Sequence, residues 1–253
     1  MHTSPPAGAY QLCLTVGARH PNFNGTSVPC SVLVRVAQAR TALVNAARGL
    51  AKSYGERLRK CGTQQVSKDL AAGLSPELRA ALEPLLAEVA SLNQRIAEYD
   101  RRIEQIATKV HPEVALLKQV KGVGTLIALT YVLTVADPHR FRRSRDVGCY
   151  LGLRPGRRNS GSSQPQMHIS KEGDRYLRTL MVQGAHYILG PFGQDSDLRR
   201  WGLKLCERGG SNAKKRAVVA VARKQSVLLH KLWVSGEVYQ PLRNHRAVES
   251  AVA

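Results

Sequence analysis

Residues 156–189 read GRRNSGSSQPQMHISKEGDRYLRTLMVQGAHYIL, a serine- and glycine-rich stretch set between paired arginines and a basic helix. A hydroxyl nucleophile flanked by cations suits attack on a phosphodiester, because the transition state gathers negative charge around phosphorus. Ser160 stands just beyond Arg157 and Arg158 and is the leading candidate for the reacting atom, with Ser162 and Ser163 near enough in the chain to serve instead. The competing reading of these residues is a plain connector, since Gly, Pro, Asn and Ser are the residues that turns favour.

Downstream, Ser170-Lys171-Glu172-Gly173-Asp174 reads as a turn and cap that opens a helix through Tyr176, Leu177, Leu180, Met181, Gly184 and Tyr187. The positive end of that helix would add to Lys171, Arg175 and Arg178 as partners for a phosphate. His168 and His186 are acid–base candidates, although a structural hydrogen-bonding role is the simpler expectation for each.

Two further stretches fit contact with a nucleic-acid backbone. Residues 116–129, LLKQVKGVGTLIAL, read as helix, tight turn and helix, the pattern of a helix-hairpin-helix. There Gly122 and Gly124 would let backbone N–H groups and a helix N-terminus approach a phosphate. Lys214, Lys215 and Arg216 open a later helix with Val218, Val221, Ala222, Leu228, Leu229 and Leu232 inside and Arg223 and Lys224 outside. Arg140, Arg142, Arg143 and Arg145, and Arg199, Arg200 and Lys204 beside Trp201, add cations suited to a backbone.

The elements that must position these groups are helical. From Ser31 the apolar residues Val32, Val36, Ala39, Leu43, Ala46 and Leu50 mark one helical face. Ser75-Pro76-Glu77 then supplies a cap, a proline at the first helical position and an acid in the first turn. Leu78, Leu82, Leu85, Val89, Leu92, Ile96, Tyr99, Ile103, Ile106 and Val110 follow in alternating steps of four and three, a heptad repeat that His111-Pro112 ends. Such a seam fits a coiled coil between copies of the chain, giving a homo-oligomer, and equally a hairpin against residues 31–55.

Composition narrows the partner. The chain of 253 residues is 43% hydrophobic, enough for a packed core, and its 38 Lys+Arg against 18 Asp+Glu give a net charge of +20. That excess points to a polyanion such as DNA, whose binding releases counterions. It counts against a purely structural scaffold. The five cysteines are widely spread without a C-x-x-C pair, which favours reduced thiols over a disulfide framework or a zinc site. The longest apolar run, near Leu126 to Val135, is too short to cross a bilayer, so a soluble cytoplasmic, nucleoid-associated protein without a membrane partner is expected.

Residues 114–243 closely resemble the C-terminal domain of insertion-sequence transposases of the IS one-ten and IS eleven-eleven type. The motifs that carry the resemblance are LLKQVKGVGTLIALTYVL, DPHRFRRSRDVGCYLGLRPGRRNSG, HISKEGDRYLRTLMVQGAHYILGPFG, DLRRWGLKLCERGG and KKRAVVAVARK. Residues 31–110 resemble the helical coiled-coil linker of that family. The resemblance implies a DNA recombinase in which a serine, at the N-S-G step here Ser160, becomes covalently linked to DNA. It also implies a RuvC-like domain whose four acids hold magnesium, and a structured guide RNA encoded by the element. Residues 1–74 contain only Glu56 and Asp69 as acids, so no four-carboxylate site can be built from them. The expectation is a truncated copy with no cofactor of its own, Mg2+ belonging to the missing RuvC-like domain.

The expected fold is therefore mostly α: an irregular leader over 1–30, a coiled-coil linker over 31–113, a compact helical DNA-binding domain over 114–243 and a tail over 244–253. The expected function is DNA transposition by serine attack on a phosphodiester. The alternative is a non-catalytic nucleic-acid-binding module in which the serine stretch clamps phosphates.

Overall fold

The computed structural model of the protein describes residues 28–156 and 167–243. These residues form eight α-helices and three 3₁₀ turns, and the chain divides into two compact units, one spanning Asn24–Ile106 and one running from Ala107 onward. The fold is mostly helical, as its periodicities predict. Among the described residues the one β-type pairing is an isolated antiparallel bridge between Pro155 and Ile169.

The first unit is a helical hairpin of α1 (Val28–Ser53) and α2 (Pro76–Lys109). Val44, Ala47 and Ala51 of α1 pack with Leu78, Leu82, Leu86 and Val89 of α2, and Val66, Leu70 and Ala71 of the connection complete the cluster. Two alanines on the α1 side let the helices approach closely. Arg40 Nη1 donates to Asn93 Oδ1 at 3.0 Å, and Asn93 Nδ2 donates to the Thr63 carbonyl at 3.3 Å. The first half of the heptad seam thus finds its partner within the chain.

Two details differ from the sequence reading. The buried face of α1 is Cys30, Leu33, Val44, Ala47 and Ala51, while Leu50, expected inside, is 46% exposed. Adjacent apolar residues such as Leu43-Val44 and Ala46-Ala47 let the face rotate by one residue without losing hydrophobic cover. Likewise Leu86 lies in the core where the heptad places Leu85, and Leu85 flanks it. The Ser75 carbonyl accepts from Arg79 N–H at 2.8 Å in the first turn of α2, while its hydroxyl donates to Glu56 Oε1 at 2.6 Å and its N–H to Glu56 Oε2 at 2.9 Å, tying the end of α1 to the start of α2. Those two bonds favour the charged carboxylate and hold the Glu56 pKa below its ordinary value. Pro84 lies inside α2 on its exposed side, and the helix continues through it.

The second unit contains α3 (Glu113–Leu117), α4 (Thr125–Val135), α5 (Ser144–Tyr150), α6 (Arg175–Leu189), α7 (Asp197–Cys206) and α8 (Ala213–Ser235). Helix α8 is the hub, packing on α5, α6 and α7. Its buried face holds Ala217, Val218, Val221, Ala222, Leu229 and Leu232, and also Gln225 and His230. Helix α4 is apolar nearly all round and correspondingly enclosed, with Ala128, Leu129, Tyr131, Val132 and Val135 all buried. Burial favours the neutral phenol of Tyr131 and pushes its pKa far up.

Two polar contacts close this core. Tyr131 on α4 donates to the Ser226 carbonyl on α8. His230 Nε2 lies 2.8 Å from the Pro138 carbonyl and its Nδ1 3.0 Å from Ser144 Oγ. A carbonyl only accepts, so Nε2 carries a proton. His230 thereby binds α8 to the arginine-rich segment before α5.

Candidate functional site

The Pro155–Ile169 bridge joins the described residues that flank the serine stretch in sequence. Helix α5 ends at Tyr150 and hands over to Leu151 and Leu153, both fully buried, which anchor the outgoing segment. Across the bridge Gly156 N–H donates to the His168 carbonyl at 2.8 Å, Ser170 N–H to the Arg154 carbonyl at 2.9 Å and Lys171 N–H to the Gly152 carbonyl at 3.1 Å. Gly156 and Met167, the described residues on either side of 157–166, are thus held side by side.

The crossing below the bridge requires two glycines. Gly152 (φ 66°) and Gly173 (φ 83°) both adopt the left-handed region. A Cβ on Gly152 would overlap the Glu172 backbone, and one on Gly173 would overlap the Tyr150 carbonyl. Lys171 also has positive φ, 58°, a costly conformation for a residue with a side chain. The returning segment then enters α6, where Asp174 Oδ1 accepts from Leu177 N–H at 2.5 Å as the expected cap.

Arg178 joins the two sides of this crossing. Its Nη1 donates to the Leu151 carbonyl at 3.0 Å and to the Glu172 carbonyl at 3.1 Å. Partial burial lowers its pKa, an effect opposed by the nearby Asp174. Expected to face a phosphate, this guanidinium instead clasps backbone. Arg154, Lys171 and Arg175 are exposed around the same crossing. His168 and His186 are exposed as well.

The other predicted residues fall as follows. Ser160, Arg157 and Arg158 lie outside the described residues. Gly122 (φ 91°) packs against α6: a Cβ there would come within 2.8 Å of Ile188 Cγ1 and 3.1 Å of the Gly184 carbonyl. Close helix packing accounts for this glycine. Gly124 is exposed, has open space where a Cβ would stand, and immediately precedes α4. Lys214, Lys215 and Arg216 form the exposed first turn of α8, an element apart from the clasp.

Several cations singled out in the sequence have internal work. Arg140 stacks over Phe141 and Tyr150, 5.0 and 4.8 Å from the ring centroids. Burial raises the Tyr150 pKa, and the Arg140 charge opposes that rise. Arg199 Nη1 donates to the Ile188 carbonyl and, at 2.6 Å, to that of Gly190, closing the end of α6. Arg200 pairs with Asp195, Nη2 to Oδ2 at 2.6 Å. Lys224 Nζ sits 4.2 Å from the centroid of Trp201, and burial lowers its pKa while Asp197 opposes that. Arg223, read as outward-facing, lies along Gly148, whose Cβ would come within 2.9 Å of Arg223 Cγ. Long basic side chains pack their stems as readily as they display their heads, and one-dimensional spacing does not separate the two.

The sequence reading missed Gln225 and His230, since both interrupt the apolar period of α8. A histidine at a position where the helical pattern demands an apolar residue is itself the signal that would have found His230.

Among the described residues no group of three or more His, Cys, Asp or Glu side chains comes together to hold a metal ion such as magnesium. No disulfide joins the described cysteines Cys30, Cys61, Cys149 and Cys206. No described helix is long and apolar enough to cross a membrane.

Residues 114–196, which span α3 through the clasp and α6, match the sequence profile of the transposase IS116/IS110/IS902 family. The chain is 33% identical to the transposase for insertion sequence element IS1111A of Coxiella burnetii, over 81% of this chain and 57% of that protein. The chain belongs to the IS116/IS110/IS902 transposase family. A second member, named a probable family 20 transposase in Pseudomonas aeruginosa, is 32% identical over 82% of this chain and 62% of its own length. The transposase for IS1328 of Yersinia enterocolitica is 31% identical over 46% of this chain and 34% of its own. The chain thus spans little more than half the length of the first two of these transposases. Within the family's matched region lie the bridge, the two crossing glycines and Arg178.

Proposed function

We propose that this chain acts in the transposition of an insertion sequence, with DNA as its partner and Ser160 as the nucleophile on a DNA phosphodiester. The observation that carries the reading is the clasp: the described residues on either side of the Ser160 stretch are hydrogen-bonded to each other, beside exposed Arg154, Lys171 and Arg175, inside the region shared with transposases.

The chemistry balances without a consumed cofactor. Serine Oγ loses its proton and bonds to phosphorus, while the bond from phosphorus to one deoxyribose oxygen breaks and that oxygen takes up a proton. A hydroxyl from another DNA end then displaces the serine and restores a phosphodiester. Arg157, Arg158, Lys171 and Arg175 lower the barrier by meeting the charge that builds on the phosphoryl oxygens. Gly124 at the start of α4 and the Lys214-Lys215-Arg216 turn hold the backbone elsewhere. The family resemblance further assigns a guide RNA as a partner and magnesium held by a separate acidic domain; the heptad repeat of α2 adds a second copy of the chain, and the want of a membrane-spanning helix among the described residues fits action in the cytoplasm.

The test mixes the protein, donor DNA and a separately expressed metal-binding domain of the family, and looks for a phosphoserine-linked DNA adduct. The adduct is expected with wild type and with Ser162→Ala or Ser163→Ala, and absent with Ser160→Ala. Salt-dependent DNA binding that is intact in Ser160→Ala, with no adduct from any variant or wild type, would favour the binding module instead.

A further inference from the structure

We infer that Arg178 is a positioning residue: it fixes the two ends of the Ser160 stretch relative to each other and to α6. This rests on the reading of Ser160 as nucleophile.

The geometry is specific. One guanidinium nitrogen serves Leu151, which precedes the stretch, and Glu172, which follows it. At the crossing the backbone holds three left-handed residues, Gly152, Lys171 and Gly173. Such conformations persist only where surrounding contacts over-determine them, and in lysine the cost is real. Charge-assisted hydrogen bonds are the stronger kind, and both are accepted here by carbonyls of the crossing itself. Arg178 in turn is carried on a rigid support, since its neighbours Leu177, Leu180 and Met181 are all buried in the core. The crossing is therefore referenced to α6, and through α6 to α8. Nucleophilic attack loses orders of magnitude when the reacting atom is displaced by about an ångström, so a device that sets the ends of the serine stretch acts on rate more than on DNA affinity.

Hydrogen exchange on the full chain tests this directly, because the Gly156, Ser170 and Lys171 amides report the clasp and the α8 amides report the core. In Arg178→Met the three clasp amides are expected to exchange at least tenfold faster, with α8 protection, DNA affinity and its salt dependence unchanged and adduct formation slowed. Arg178→Lys, which keeps the charge on a shorter side chain without the planar guanidinium, is expected to exchange at these amides and to form adduct at rates between those of wild type and Arg178→Met. If Arg178→Met unfolds the protein, the comparison of Arg178→Lys with wild type stands alone. Clasp amides that exchange at the wild-type rate in either folded variant overturn the proposal. So does a fall in DNA affinity with a flatter salt slope, which would mean that Arg178 binds phosphate. A loosened clasp together with an adduct that survives Ser160→Ala overturns the nucleophile instead, and leaves the role of Arg178 in the fold standing.

Discussion

Tyr131 on α4 donates its phenolic hydrogen to the backbone carbonyl of Ser226 on α8 at 2.8 Å, within the most enclosed part of the basic unit. Tyr131→Phe removes the bond but not the ring, and is expected to cost about 1 kcal/mol of unfolding free energy. Because burial raises the Tyr131 pKa, the group stabilises the fold fully below the unfolded-state value of about 10, and that contribution is lost as pH rises beyond it. Urea unfolding between neutral and alkaline pH should show this slope in wild type and a shallower one in Tyr131→Phe.

The glycines separate cleanly by their surroundings. Gly152→Ala and Gly173→Ala each place a methyl group onto backbone atoms at a positive φ, and each is expected to destabilise by about 1–3 kcal/mol or more. Gly124→Ala meets open space at φ −85°, so its melting temperature should stay near that of wild type. Any loss of DNA binding in Gly124→Ala would then report on the α4 N-terminus alone.

Glu56 and Ser75 give the hairpin an acid-sensitive joint. The folded-state pKa of Glu56 is lowered, so its contribution is present above the ordinary carboxylate range and disappears as pH falls through the lowered value. In unfolding free energies measured across pH, Glu56→Gln or Ser75→Ala should flatten that acid limb, falling below wild type at neutral pH and approaching it once the carboxyl is protonated.

Arg199 and the α8 basic turn should behave in opposite ways. Arg199→Met strips two carbonyls at the end of α6 of their charged donor, and should destabilise the fold by about 1.5–3 kcal/mol while sparing the salt slope of DNA binding. Replacing Lys214 and Lys215 together by Ala should leave stability unchanged, and should reduce the salt slope by about 0.9 for each phosphate no longer neutralised. Equal effects in the two variants would contradict this division.

The elements legible in the chain are those with strong periodicity or punctuation. Helix α2 runs from Pro76 through Pro84 nearly to His111-Pro112, and Asp174 caps α6, both as their local chemistry predicts. What escaped was three-dimensional. The face of α1 is off by one residue because neighbouring positions are equally apolar. The clasp depends on Gly152 and Gly173 meeting across a long intervening stretch, and no local rule couples them. Arg178, Arg199 and Arg140 read as surface cations, since a guanidinium bound to carbonyls or rings has the same spacing as one that faces solvent.

A net charge of +20 invites the assumption that every excess cation is available to a polyanion. In this fold Arg178 and Arg199 are consumed by carbonyls, Arg140 by two rings and Arg200 by Asp195. The attraction that a nucleic acid would feel is consequently patchy, concentrated where lysine and arginine tips stand unspent. Ionic strength should loosen its grip less steeply than a tally of basic residues would suggest.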